Sequence, residues 1–177
     1  MATEGLSVLV SAASRYGSTA EIAAAIGDEF QQRGLRARVL PPAEVTALDS
    51  YDAVVLGSAV YVGHWLRPAM DLVARCRDEF ADRPVWLFSS GPVGKPSGRL
   101  ARQMYTDPVE LPLLRDATGF REHKIFPGKL SPKTLPFVQR ASLLVFRGLA
   151  GDFRDWTEVR QWADSIAGQL TAVAPGG

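Results

Sequence analysis

Cysteine is almost absent: Cys76 stands alone among 177 residues, so no disulfide can close within the chain. A reducing compartment is the natural reading of that count. Histidine is nearly as scarce, and His64 and His123 lie too far apart to give a metal-ligand spacing with one cysteine. The longest stretch without a formal charge, Ala53 to Leu66, contains Gly57, Gly63 and His64. It falls short of the roughly 20 apolar residues that a membrane-spanning helix needs. Met1–Gly5 is short and polar, unlike a secretory leader. Neither Gly-x-x-x-x-Gly-Lys nor Gly-x-Gly-x-x-Gly occurs, which disfavours nucleoside triphosphate and dinucleotide sites. No Ser-His-Asp constellation is visible, and Ser14 has no partnered base to activate it.

Net charge is +1, so no nucleic acid or other polyanionic partner is expected of the whole chain. Its distribution is uneven. Lys95–Arg147 holds ten basic and four acidic residues, whereas Met1–Gly94 holds eight and eleven. A basic middle third suits an anionic substrate or a membrane surface, and equally an ordinary solvated face.

The length fits one domain with a real core. Short apolar runs alternate with helix-period segments. Leu6–Val10, Arg36–Leu40, Asp52–Gly57 and Pro84–Ser89 read as strands, with a weaker fifth over Ile125–Leu130. Thr19–Arg33 reads as a helix closed by Gly34, and Leu66–Phe80 as another, with Met70, Val73, Cys76 and Phe80 on one stripe. The last helix opens at Asp155 and Glu158, a capping-box spacing, and lines Trp156, Val159, Ala163, Ile166 and Leu170 on one face. Lys95–Gly119, rich in proline, is expected to be loop with little regular structure. This alternation predicts an α/β fold, a parallel sheet with helices on both faces, in which ligands bind at the carboxyl ends of strands.

Three strand ends carry loops of the right kind. The first, Ser14-Arg15-Tyr16-Gly17-Ser18-Thr19, offers hydroxyls, a glycine at the turn and free N–H groups of a starting helix, which together suit a phosphate. A plain capped helix explains the same residues, since Ser18 and Glu21 also have capping-box spacing. The second, Gly57 to Trp65, brackets Tyr61 with glycines beside His64 and Trp65. Tyr61 is the first choice, and Trp65 the second, for stacking on a flat cofactor; packing over the next helix is the plain alternative. The third, Ser89 to Gly94, lets backbone approach a ligand closely. The coincidence of the three is the strong signal.

These loops resemble those of the flavodoxin superfamily, and within it the flavodoxin-domain group that includes menaquinone-dependent protoporphyrinogen oxidase. Gly151-Asp-Phe-Arg-Asp-Trp156 before the last helix is also similar to that group. The resemblance implies a five-stranded, doubly wound sheet of order 2-1-3-4-5 and non-covalent flavin mononucleotide (FMN). Ser14, Arg15, Tyr16, Gly17, Ser18 and Thr19 would wrap the phosphate. Ala59, Val60, Tyr61 and Gly63, with Ser90, Gly91, Pro92 and Val93, would flank the ring. It further implies an insertion, here at about 130–151, that engages substrate or membrane. Leu135–Leu149 fits an amphipathic lid there, or packing on its own domain. Tyr61-Val-Gly-His lacks the arginine that precedes the tyrosine in the oxidase, which leaves the substrate open.

The expectation is a cytoplasmic, FMN-dependent oxidoreductase with peripheral membrane contact, a small-molecule or tetrapyrrole substrate and a quinone or other acceptor. The alternatives are a flavodoxin-type electron carrier and a deazaflavin-using or flavin-free scaffold. His64 is read as a donor near the flavin or a cap of the next helix, and His123 as a solvated strand-edge residue.

Overall fold

A computed structural model of the chain describes residues 5–91, 107–130 and 151–173. Its strands and helices run β1 (Ser7–Ala13), α1 (Ser18–Gln32), β2 (Arg36–Leu40), β3 (Ala53–Tyr61) and β4 (His64–Trp65). They continue through α2 (Arg67–Arg75), α3 (Arg77–Phe80), β5 (Val85–Ser90), α4 (Leu111–Thr118) and β6 (Glu122–Phe126). A short ribbon of β7 (Lys129–Leu130) and β8 (Gly151–Asp152) precedes α5 (Trp156–Val173).

Alternation of side chains decides the layers. In β1, Val8 and Val10 face the layer of α1 and α5, where Ile22, Ile26, Phe30, Trp162 and Ile166 bury them. Leu9 faces the other layer, with Leu72, Phe80 and Leu114 of α2, α3 and α4. A strand buried on both faces has no polar side to show, which is why these runs read as continuously apolar. The main sheet has the order β2-β1-β3-β5-β6, all parallel. Setting aside β4, which forms an antiparallel hairpin with β3, this is the doubly wound order expected. Gly57 lies where β3 passes Phe88 of β5: a Cβ there would come within 2.2 Å of the ring.

Three expectations need correction. The helix read over Leu66–Phe80 breaks at Cys76 into α2 and α3. Lys95–Gly119 is not loop throughout, because Leu111–Thr118 is helical with Leu114 and Ala117 buried; Pro112 is harmless in a first turn, where no helical N–H bond is lost. The fifth strand runs over Glu122–Phe126 rather than Ile125–Leu130, since the proline and glycine at 127 and 128 end it. The insertion expected at 130–151 falls, from residue 131 to 150, outside the described residues.

Candidate functional site

The carboxyl ends of β1, β3 and β5 open on one cleft. Ser14, Arg15, Tyr16, Ser18 and Thr19 line it from the first loop, Ala59, Val60 and Tyr61 from the second, and Ser90 and Gly91 from the third. Gly128 and Lys129 close it from the side of β7. Gly17 shapes the first loop without lining the cleft, and Gly63 turns away toward Val109. Pro92 and Val93 lie outside the described residues.

The first loop is held locally. Ser14 Oγ accepts the Gly17 N–H at 3.0 Å. Gly17 is the cap of α1 at φ 88°, a left-handed conformation that a side chain would strain, and no side chain caps the helix. The expected pairing of Ser18 with Glu21 is therefore absent. Glu21 instead meets Arg154 Nη1 at 2.5 Å. Arg154 also binds both oxygens of Asp152, donates to Ser18 O at 3.2 Å and lies over the Trp156 ring at 4.5 Å. Its side chain is 2% exposed. Hydrogen bonding to Asp152 leads the causes that push the Arg154 pKa up, and the same contact holds the Asp152 carboxyl below its ordinary range. The acid nearest the helix start is thus neutralised by a cation from the far end of the chain. The start of α1 keeps its free N–H groups and a net attraction for an anion.

The second loop is held from a distance. Val62 and Gly63 both have positive φ, which makes the tight turn between β3 and β4. A β-branched residue at φ 51° is strained, so the surroundings must hold this turn in place. Glu110 does so: its carboxylate takes His64 Nδ1 at 2.7 Å and the Trp65 N–H at 3.1 Å. Val109 N–H donates to Gly63 O at 2.9 Å. Burial works against the ionised Glu110, but the bonds from His64 and Trp65 outweigh it and hold its carboxyl below the usual range. Ser58 Oγ accepts the Leu66 N–H and donates to Ala59 O, tying the strand end to the start of α2.

Tyr61 stands at the rim, edge-on to Tyr16 at 6.4 Å between ring centres. Arg15 lies over both rings, at 5.5 and 5.7 Å. Burial, followed by Tyr16, raises the Tyr61 hydroxyl pKa against the pull of Arg15. Trp65 does not stack at the cleft. It is buried, and its indole N–H donates to Ser89 Oγ at 2.8 Å.

Two further expectations are overturned. His123 is no solvated edge residue: its side chain is 6% exposed, with Nε2 2.8 Å from Ser89 Oγ and Nδ1 3.2 Å from Asp107 Oδ1. Ser89, His123 and Asp107 so form the very constellation the sequence does not show. Strand pairing of β5 with β6 creates it, across 34 residues. Ser89 is buried beneath the Trp65 indole and out of substrate's reach, so it is not a nucleophile.

The cleft fits a phosphorylated flat cofactor. Among the described residues its lining offers three hydroxyls beside a helix start, two cations (Arg15 and Lys129), no carboxylate, and the Tyr61 ring at the rim. Sequence reasoning missed Lys129 by running the fifth strand of the sheet through it; the proline-glycine pair before it was the signal that this strand ends and a separate ribbon begins. It missed Arg154, Glu110, Asp107 and the burial of His123 because nothing local marks a contact across such distances. Among the described residues no cluster of side chains could hold a metal ion, and no helix is long and apolar enough to cross a membrane.

Comparison with known proteins agrees. Residues 9–155 match the family model described as a flavodoxin domain. No curated protein matches the sequence. A flavodoxin from the domain Archaea superposes with TM-score 0.59 at 18% identity, covering 94% of this chain and 99% of its own. Oxidised flavodoxin 1 from Bacillus cereus gives TM-score 0.62 at 14% identity, with 93% and 99% covered. The rubredoxin:oxygen oxidoreductase of Desulfovibrio gigas gives 0.63 at 14%, with 98% of this chain covered but 38% of that one. At such identities the structures speak for the fold, and the family match speaks for the rest: the chain belongs to the flavodoxin-domain family, with FMN as its cofactor.

Proposed function

We propose that this chain is an FMN-dependent oxidoreductase that draws electrons from a small anionic substrate and passes them to a quinone or comparable acceptor. A carboxylated tetrapyrrole is the substrate class to try first. The general class, flavodoxin-type electron transfer, follows from the family; the enzyme reading rests on one observation. Among the described residues the cleft is lined by two cations and no carboxylate, so an anion beside the flavin meets no carboxylate from them.

Bound FMN supplies the electron chemistry. The protein supplies place and field. Ser14, Ser18, Thr19 and the start of α1 would hold the phosphate, with Arg154 keeping Glu21 from opposing it. Tyr61 offers a ring to the isoalloxazine, and the backbones at Ala59 and Gly91 approach it without bulk. No described side chain in the lining has the makings of an acid or base poised near neutrality, so positioning carries the chemistry.

A carrier that needs a protein partner is the second reading. Tyr61, Val62, Val109 and Leu113 are exposed apolar residues, and Val62 and Val109 flank the turn at the cleft rim. The visible spectrum of the protein as isolated comes first: flavin bands support both readings, and a protein that stays colourless with added FMN ends both. Turnover of protoporphyrinogen with a soluble quinone, without any protein partner, then separates them. Absence of turnover, with fast reduction by a flavodoxin reductase, favours the carrier. Co-sedimentation with anionic vesicles tests the membrane contact that a quinone acceptor calls for.

A further inference from the structure

Four groups on different elements form one line of hydrogen bonds just beneath the cleft. Trp65 Nε1 of β4 meets Ser89 Oγ of β5, Ser89 Oγ meets His123 Nε2 of β6, and His123 Nδ1 meets Asp107 ahead of α4. None of them lines the cleft, yet Trp65 and Ser89 neighbour residues that do. Trp65 pairs with Val60 across the hairpin, and Ser90 and Gly91 follow Ser89. Gly91 N–H bonds Phe126 O at the end of the strand that carries His123.

The protons of this line have one consistent arrangement. An indole N–H only donates, so Ser89 Oγ accepts from Trp65 and has its own proton to give. A carboxylate only accepts, so His123 must carry its proton on Nδ1, toward Asp107. Nε2 is then the acceptor that the Ser89 hydroxyl needs. Every buried polar atom is satisfied only while the imidazole is neutral. Protonated His123 would donate at both nitrogens, and Ser89 Oγ would accept twice with its own proton left over. Trp65 and His123 are its two partners among the described residues.

We propose that His123 is a positioning residue for the flavin ring: neutral, it completes the line Trp65–Ser89–His123–Asp107 that fixes the β3–β4 hairpin against the end of β5, and protonated, it releases them. The inference rests on the cleft being the FMN site. The charged group facing His123 is Asp107; Ser89 of β5 faces its other nitrogen, and the Phe120 ring its edge at 6.5 Å. Burial pulls the His123 pKa below the ordinary value and outweighs Asp107, which favours the neutral form near pH 7. On this proposal a hairpin released without ligand gives water access to the orphaned hydroxyl, whereas a seated ring keeps the hairpin in place. The penalty of protonation therefore falls on the bound state.

The test has two arms. Nitrogen-15 imidazole spectra of the wild type at pH 7.5, assigned by the signal lost in H123Q, read the tautomer without reference to flavin. The Nδ1–H form is expected, and the Nε2–H form overturns the proposal. FMN dissociation constants between pH 7.5 and 5.0 form the second arm. Titration of the cofactor phosphate is common to all variants, so only differences between them count. Wild type should weaken about tenfold more than H123Q, the direction expected when a buried donor loses its partner. D107N, altered at an exposed carboxylate, should move the wild-type midpoint to lower pH by removing the charge that favours protonation. Parallel curves for wild type and D107N overturn the proposal even if H123Q does not fold. A wild type that binds no FMN at any pH sinks the cofactor reading instead, and the first arm still judges the line.

Discussion

The two ends of the cleft are built by different means. At the end proposed for the phosphate, a short loop runs straight into a helix, and its donors are its own hydroxyls and its own backbone, with Arg154 as a distant brace. At the end proposed for the ring, a strained turn is held by Glu110, a residue 46 positions from His64, and backed by a line of hydrogen bonds through three strands. The first end needs little folding beyond a strand and a helix start. The second exists only when the whole sheet is assembled. Binding the phosphate and seating the ring are thus separable tasks, and FMN compared with riboflavin, which lacks the phosphate, can pull them apart.

The largest effect is expected from acids in the phosphate loop. Ser14→Glu with Thr19→Glu should weaken FMN at least about a hundredfold, because a like charge about 4 Å from the ester costs on the order of 4 kcal/mol near a protein surface. Riboflavin should weaken far less. Equal losses for both ligands, measured by flavin fluorescence quenching, would dissolve the division of labour. Arg154→Ala comes next, with about a tenfold loss for FMN and a lowered melting temperature, since removal of a buried cation leaves Glu21 facing the phosphate. Riboflavin affinity should barely change.

Glu110→Gln should do the opposite, weakening FMN and riboflavin alike by roughly two- to tenfold, the range of one ordinary hydrogen bond, because the amide keeps part of the contact. Its pH dependence has a definite sign. The Glu110 carboxyl is depressed, so its contribution to stability is complete above the ordinary carboxylate pKa and fades as pH falls through the depressed value. Wild type and E110Q should therefore differ in melting temperature near neutrality and converge in acid. The smallest effect belongs to a pair outside either end. Lys124→Ala removes the 2.8 Å bridge to Glu158 on half-exposed side chains, and about 0.2–1 kcal/mol of stability with it, without moving either ligand.

How much of this was legible before folding follows the same division. Helix 1, its loop and the strands that flank it rest on near neighbours, and the pattern from Leu6 to Gly34 reads plainly. The cap of the last helix is as local: Asp155 Oδ1 accepts the N–H groups of Thr157 and Glu158, as the spacing indicates. Glu158 itself turns to Lys124 rather than back to the cap, a choice that only the packed β6 makes available. His123 misleads for the same reason. Flanked by Glu122 and Lys124 it looks solvated, yet β-strand alternation turns its ring to one face of the sheet while Lys124 reaches Glu158 of α5 on the other. Glu110 and Asp107 carry no local mark at all, since their partners arrive from β4 and β6.

The ribbon of β7 and β8 has a consequence for change over evolutionary time. Lys129 pairs with Asp152 and Leu130 with Gly151, so positions 130 and 151 stand side by side like the posts of a doorway. Whatever spans such a doorway adds only a slow logarithm of its length to the cost of closure. Changes of length between those two posts therefore cost closure little, and the frame of β7 and β8 can be inherited while the length it spans varies.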